Sequence, residues 1–125
     1  HFTRRLVHRS PPKIIKKLKN NLQHELYISS ITIAELEYGI EKSQFKERNK
    51  LALMKFLAPF KILNFEDNHA ITYGKIRATL EEKGTIIGSM DLLIAAQALA
   101  EKATVVTNNT KEFSRIEKLK IENWI

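Results

Sequence analysis

The chain has 125 residues, no cysteine and a formal charge of +7, with 43% apolar and 28% charged side chains. That balance predicts one domain with one core. It excludes disulfides, thiolate metal sites and a cysteine nucleophile, and no apolar run is long enough to cross a bilayer. The charge is uneven: residues 1–19 carry seven basic side chains and no acid, whereas the rest of the chain is balanced. A basic end of this kind either contacts phosphate backbones or forms a solvated arm. In chain order, residues 1–10 (HFTRRLVHRS) show no useful period. Pro11-Pro12 opens a helix with Ile14, Ile15, Leu18 and Leu22 on one face. Glu25–Ser30 reads as a strand, Thr32 to about Glu41 as a helix, Phe45–Leu57 as a longer helix and Lys61–Phe65 as a second strand.

Asp67 is expected to cap a helix with Ala70, Tyr73, Ile76 and Leu80 inward, stopped by Gly84. The next helix runs from Asp91 to Lys102 and is almost wholly apolar. Asp91 is the sole acid between Glu82 and Glu101. Ala103–Thr107 has the continuous apolar character of a buried parallel strand. A short helix over Thr110–Ile116 and an edge strand over Lys120–Trp124 complete the chain. Strands alternating with helices predict a parallel α/β sheet flanked by helices.

In such sheets ligands bind beyond the carboxyl ends of the strands. Glu35 follows the Glu25–Ser30 strand. Asn108, Asn109 and Glu112 follow the Ala103–Thr107 strand, and Asp91 opens the helix leading into it. All are expected on one edge. Each has a plainer role available: Thr32-x-x-Glu35 and Asn109-x-x-Glu112 have capping-box spacing, and Ser89 with Asp91 suits a helix start. Gathered together, however, carboxylates repel and call for a cation or a proton. Oxygen ligands without cysteine suit Mg²⁺, or Mn²⁺, rather than zinc. His1, His8, His24 and His69 show no metal-ligand spacing and read as scattered surface or core residues. The four glycines match no phosphate-loop pattern, and no serine sits in a hydrolase elbow.

Three stretches resemble the PIN-domain ribonucleases, and among them the VapC toxins of bacterial toxin–antitoxin pairs. They are Ile28-Ser29-Ser30-Ile31-Thr32-Ile33-Ala34-Glu35-Leu36-Glu37-Tyr38-Gly39, Lys83-Gly84 through Asp91-Leu92-Leu93-Ile94-Ala95-Ala96, and Val105-Val106-Thr107-Asn108-Asn109-Thr110-Lys111-Glu112-Phe113. The resemblance runs from about Pro11 to the C-terminus. It implies a PIN-like parallel sheet, Mg²⁺-dependent RNA cleavage, a VapB-like antitoxin partner and a homodimer; the lack of cysteine fits a reducing cytoplasm, and no membrane partner is expected. Glu35 and Asp91 fall on the family's second and third acids, implied metal ligands. Asn109 falls where relatives carry a fourth acid or an asparagine, and Glu112 and Asn108 lie beside it. The Thr-Asn-Asn-x-x-Glu-Phe run resembles that of initiator-tRNA cutters, which makes tRNA a substrate to test.

One departure stands out. The family opens with an apolar strand ending in an Asp-Thr-Asn-like motif whose aspartate is its first metal ligand, whereas residues 1–10 contain no acid. An altered reading frame, a truncated start and a replaced N-terminus are all consistent with this, and no secretory leader is expected. Arg4 and Arg5 would bury unpaired charge in a central strand. The expectation is therefore a displaced basic tail over 1–10, a PIN-like domain over 11–125, and a first strand absent or disrupted. Nuclease activity is then expected to be impaired. The alternatives are a non-catalytic remnant that binds antitoxin or RNA, and an unrelated phosphohydrolase, which lacks its aspartyl nucleophile here.

Overall fold

The computed structural model describes residues 3–8 and 24–124. The helix expected after Pro11-Pro12 lies outside them. Five parallel strands form one sheet in the order β3-β2-β1-β4-β5: β1 Thr3–Val7, β2 His24–Ser29, β3 Lys61–Leu63, β4 Thr104–Val106 and β5 Lys120–Glu122. The helices are α1 Ser30–Glu41, α2 Lys46–Leu57, α3 Asp67–Lys83, α4 Ser89–Glu101 and α5 Thr110–Phe113. No helix among the described residues is long and apolar enough to cross a membrane.

The expected loss of the first strand is overturned. β1 is the middle strand, paired in parallel with β2 on one side and β4 on the other. No unpaired charge is buried in β1, because each arginine finds a carboxylate. Arg5 donates from Nε and an Nη to the two oxygens of Glu122, each at 2.9 Å. Register explains the match: Arg5 aligns with Thr104, and Val106, on the same face, aligns with Glu122. Arg4 is half exposed and reaches Glu101 at 3.4 Å. Strand alternation turns Leu6 to the opposite face from Arg5 and Val7. Leu6 joins the main core with Ile76 and Leu80 of α3, Ile94, Ala95 and Ala98 of α4, Val105 and Phe113. Val7 and Val106 pack with Leu26, Phe60 and Trp124.

Helix α4 is the centre of that core. Ile94, Ala95, Ala96, Gln97 and Ala98 are all fully buried. Buried Gln97 is satisfied at both ends: its amide donates to the Leu63 carbonyl at 3.0 Å, and its oxygen accepts from the Ser29 hydroxyl. Ser29, not Thr32, caps α1, accepting from the Ile31 N–H at 3.0 Å. Glu66 takes the cap of α3 expected of Asp67, in a reciprocal box in which its backbone N–H donates to His69 Nδ1. Gly84 ends α3 at φ 66°, in the left-handed region glycine enters freely. Ala70, expected inward, is exposed; fully buried His69 holds that face.

His69 Nδ1 accepts, so its Nε2 carries the proton and donates to Glu101 at 2.8 Å. That bond, with help from Asn68 and Arg4, holds the Glu101 carboxyl below the usual glutamate range, against the opposing effect of burial. A depressed folded value means stability that is complete above the ordinary glutamate value of about 4.3. It is lost as pH falls through the lower folded value. Glu101→Gln should therefore flatten the acid limb of a urea-midpoint-versus-pH profile; an unchanged limb would contradict the assignment. Glu122→Gln should cost about 1–3 kcal/mol in urea unfolding, since it weakens charge-assisted bonds to a little-exposed guanidinium. An unchanged midpoint would show that Arg5 does not need this partner.

Candidate active site

In an open parallel sheet the crevice lies where strand order reverses. Here that point falls between β1 and β4, whose connections leave in opposite directions. The backbone at their carboxyl ends continues the ladder: His8 N–H donates to the Val106 carbonyl at 2.8 Å, and Thr107 N–H to Glu122 at 3.0 Å. His8, Thr107, Asn108 and Asn109 therefore emerge together at the switch point.

Asp91 arrives there from the first turn of α4. Its cap is Gly88, with no side-chain bond, so the expected Ser89 cap does not form. Asp91 is 7% exposed. Its Oδ1 lies 2.9 Å from His8 Nε2, and its Oδ2 accepts from Asn109 Nδ2 at 3.1 Å. The same amide donates to Glu112 Oε2 at 2.9 Å. Asn109 thus bridges two carboxylates and makes no side-chain cap bond to α5, so the capping-box alternative for Asn109 and Glu112 is not what forms. The bridge offsets the repulsion between the two anions.

His8 is 1% exposed. Its Nδ1 lies 2.9 Å from Thr107 Oγ1, and its ring meets Phe113 edge-on at a centroid distance of 5.0 Å. Thr107 Oγ1 also accepts from the Asn109 backbone N–H at 3.0 Å. Sequence reasoning placed His8 among scattered histidines. The available signal was positional: an apolar Leu6-Val7 pair followed by a polar residue.

Glu35 comes from a different helix. It lies on α1, facing a cleft of about 660 Å³ lined also by Ile28, Thr32, Leu36, Phe56 and Asn108. Asn108 therefore borders the cleft while its neighbour Asn109 holds Asp91. Hydrogen bonds join Asp91, Asn109 and Glu112, and Glu35 lines a cleft with Asn108. The Thr32 hydroxyl there is buried without a hydrogen-bond partner among the described residues.

The PIN domain model matches residues 6–119. The chain belongs to the PIN-domain family. Within it the chain is similar to VapC proteins. Identity is 52% over 106 residues to ribonuclease VapC2 of Rickettsia felis, covering 85% of this chain and 77% of that one. It is 40% over 116 residues to the tRNA(fMet)-specific endonuclease VapC of Salmonella typhimurium, covering 93% and 88%. Among solved structures, the VapBC2 structure from Rickettsia felis bound to a promoter DNA fragment aligns with a TM-score of 0.88 at 41% identity, covering 98% of this chain and all of that one. DNA-bound VapBC from Salmonella typhimurium aligns at 0.89 and 36%, covering 98% and 99%.

PIN-domain nucleases generally use divalent metals. The residues around Asp91 do not fit Mg²⁺ as they stand. Both Asp91 oxygens are engaged by nitrogen donors, an imidazole adjoins it, and no three histidine, aspartate or glutamate side chains among the described residues are grouped to hold an ion. Mg²⁺ demands a near-octahedral shell of oxygens. Asn109→Leu should leave the Asp91 and Glu112 carboxylates without their bridge. The expected cost is about 1–3 kcal/mol in thermal or urea unfolding, partly recovered by added salt. No salt-sensitive loss would mean that the amide does not offset repulsion between the two carboxylates.

Proposed function

We propose that this chain is a VapC-type toxin whose family chemistry, the hydrolysis of RNA phosphodiesters, is impaired by the change at the end of β1. The observation that carries this reading is the joint arrival of Asp91, Asn109 and Glu112 at the switch point, in a chain matched by the PIN model over 6–119. In the intact family arrangement Glu35 and Asp91 would hold Mg²⁺, or Mn²⁺, and Asn109 would orient water or ligand. Such an ion stabilises charge developing on a phosphodiester. In this chain a histidine occupies the end of the first strand, where the family's first aspartate belongs.

The similarity to a tRNA(fMet)-specific endonuclease makes tRNA the first substrate to test. The neighbouring structures are VapBC assemblies, which supports a VapB-like antitoxin as partner. A second copy of the chain and a cytoplasmic setting complete the reading. Of the described N-terminal arginines, Arg5 is held by Glu122 and Arg4 contacts Glu101 at 3.4 Å. They also lie toward the start of β1, away from the carboxyl edge. A second reading, a non-catalytic PIN remnant that binds antitoxin or RNA, is favoured by one observation: the tight pairing of His8 with Asp91.

The test compares tRNA cleavage in Mg²⁺ by this chain and by a variant carrying His8→Asp, Arg9→Thr and Ser10→Asn. Several kcal/mol of lost transition-state stabilisation predicts a rate about 100-fold or more higher in the variant. Equal rates would refute impairment. Cleavage by neither would leave the binding reading and remove the nuclease one.

A further inference from the structure

The misfit between the site and a hard divalent ion has a specific cause. A carboxylate at position 8 would stand close to Asp91, and two like charges at that range need a cation or a proton between them. An imidazole there removes that need. Thr107 Oγ1 accepts the Asn109 backbone N–H and lies 2.9 Å from His8 Nδ1. His8 Nε2–H then donates to Asp91 Oδ1 at 2.9 Å. Asp91 Oδ2 takes one hydrogen of the Asn109 amide, and Glu112 takes the other. These contacts close into one hydrogen-bonded circuit that requires no ion.

The ring is also held mechanically. It is 1% exposed and is packed edge-on against the fully buried Phe113 ring. Its backbone N–H is tied to Val106 at 2.8 Å. An incoming ion would have to displace two nitrogen donors from Asp91 and shift a buried side chain that sits in the core.

We infer that the imidazole of His8 takes the place of a divalent cation beside Asp91, so that the centre keeps its shape with no ion and Asp91 binds neither Mg²⁺ nor Mn²⁺ in this chain. This rests on reading Asp91 as one of the family's metal-side acids. It goes further in naming what replaces the ion and in making that replacement part of the fold.

The experiment uses the full chain and reads metal binding rather than cleavage. In ¹⁵N-labelled protein, titration with Mn²⁺ should leave the His8 ring and Asp91 backbone signals without saturable broadening. The melting temperature should be the same in chelator and in Mg²⁺. His8→Asp should gain saturable Mn²⁺ binding and an ion-dependent rise in melting temperature. Saturable broadening at Asp91 in the unsubstituted chain overturns the inference, and so does a folded His8→Asp protein that binds no Mn²⁺. If His8→Asp does not fold, the titration of the unsubstituted chain decides alone. A His8→Asp protein that binds Mn²⁺ and cuts no RNA would sink the nuclease reading and leave this inference standing.

Discussion

The seating of β1 between β2 and β4 is the constraint on which the rest of the molecule depends. Without it, two strands would present unpaired edges toward each other, and the core would lose Leu6 from beneath α4. Seating it requires a place for two guanidinium groups. Arg5 shows how that is met: a two-point contact with Glu122 from two strands away, on a face set by register rather than by proximity in sequence. A one-residue slip would send Arg5 into the main core and Leu6 out of it. The same register aims His8 at α4. The charge pairing at one end of β1 and the polar circuit at the other are thus consequences of one alignment.

Helix α4 supplies the counterpart. It is buried almost all round, and three fully buried alanines keep its backbone close to its neighbours. A helix so placed can carry little polarity, and its two buried polar residues have definite partners. Gln97 ties it to the ends of β2 and β3. Asp91, at the amino end where the helix field favours an anion, ties it to the ends of β1 and β4. Both meet the sheet at its carboxyl edge, where an open parallel sheet builds its sites.

The PIN family places acids at this edge, and the chain retains the framework that positions them. At position 8 an imidazole faces Asp91, and that sets the electrostatic logic of this edge. Clustered carboxylates are unstable without a cation, whereas a carboxylate facing an imidazole and a carboxamide is satisfied by N–H donors alone. Family membership and fold are thus separable from the state of the site, because the sheet is set by backbone pairing and apolar packing, to which one polar residue contributes little.

Local pattern was enough for much of the architecture. The alternation of strands and helices, the stop at Gly84, the apolar character of α4 and the positions of Asp91 and Asn109 after or before particular strands were all legible, because they rest on propensity and period within short windows. Caps were less legible. Ser29, Glu66 and Gly88 took positions expected of Thr32, Asp67 and Ser89, since neighbouring polar residues compete for one cap within a turn. The fate of residues 3–8 was not legible at all. Two arginines and a histidine look unfit for a central strand when judged alone. They become fit only when Glu122 and Glu101 supply the opposite charge and Asp91 a hydrogen-bond acceptor, between 83 and 117 residues away. Sequence by itself determined the elements from β2 onward and the placing of Asp91, Asn109 and Glu112 at one sheet edge. Tertiary structure alone decided that β1 is seated and that a histidine closes the site, because both depend on pairings across the sheet that no local window contains.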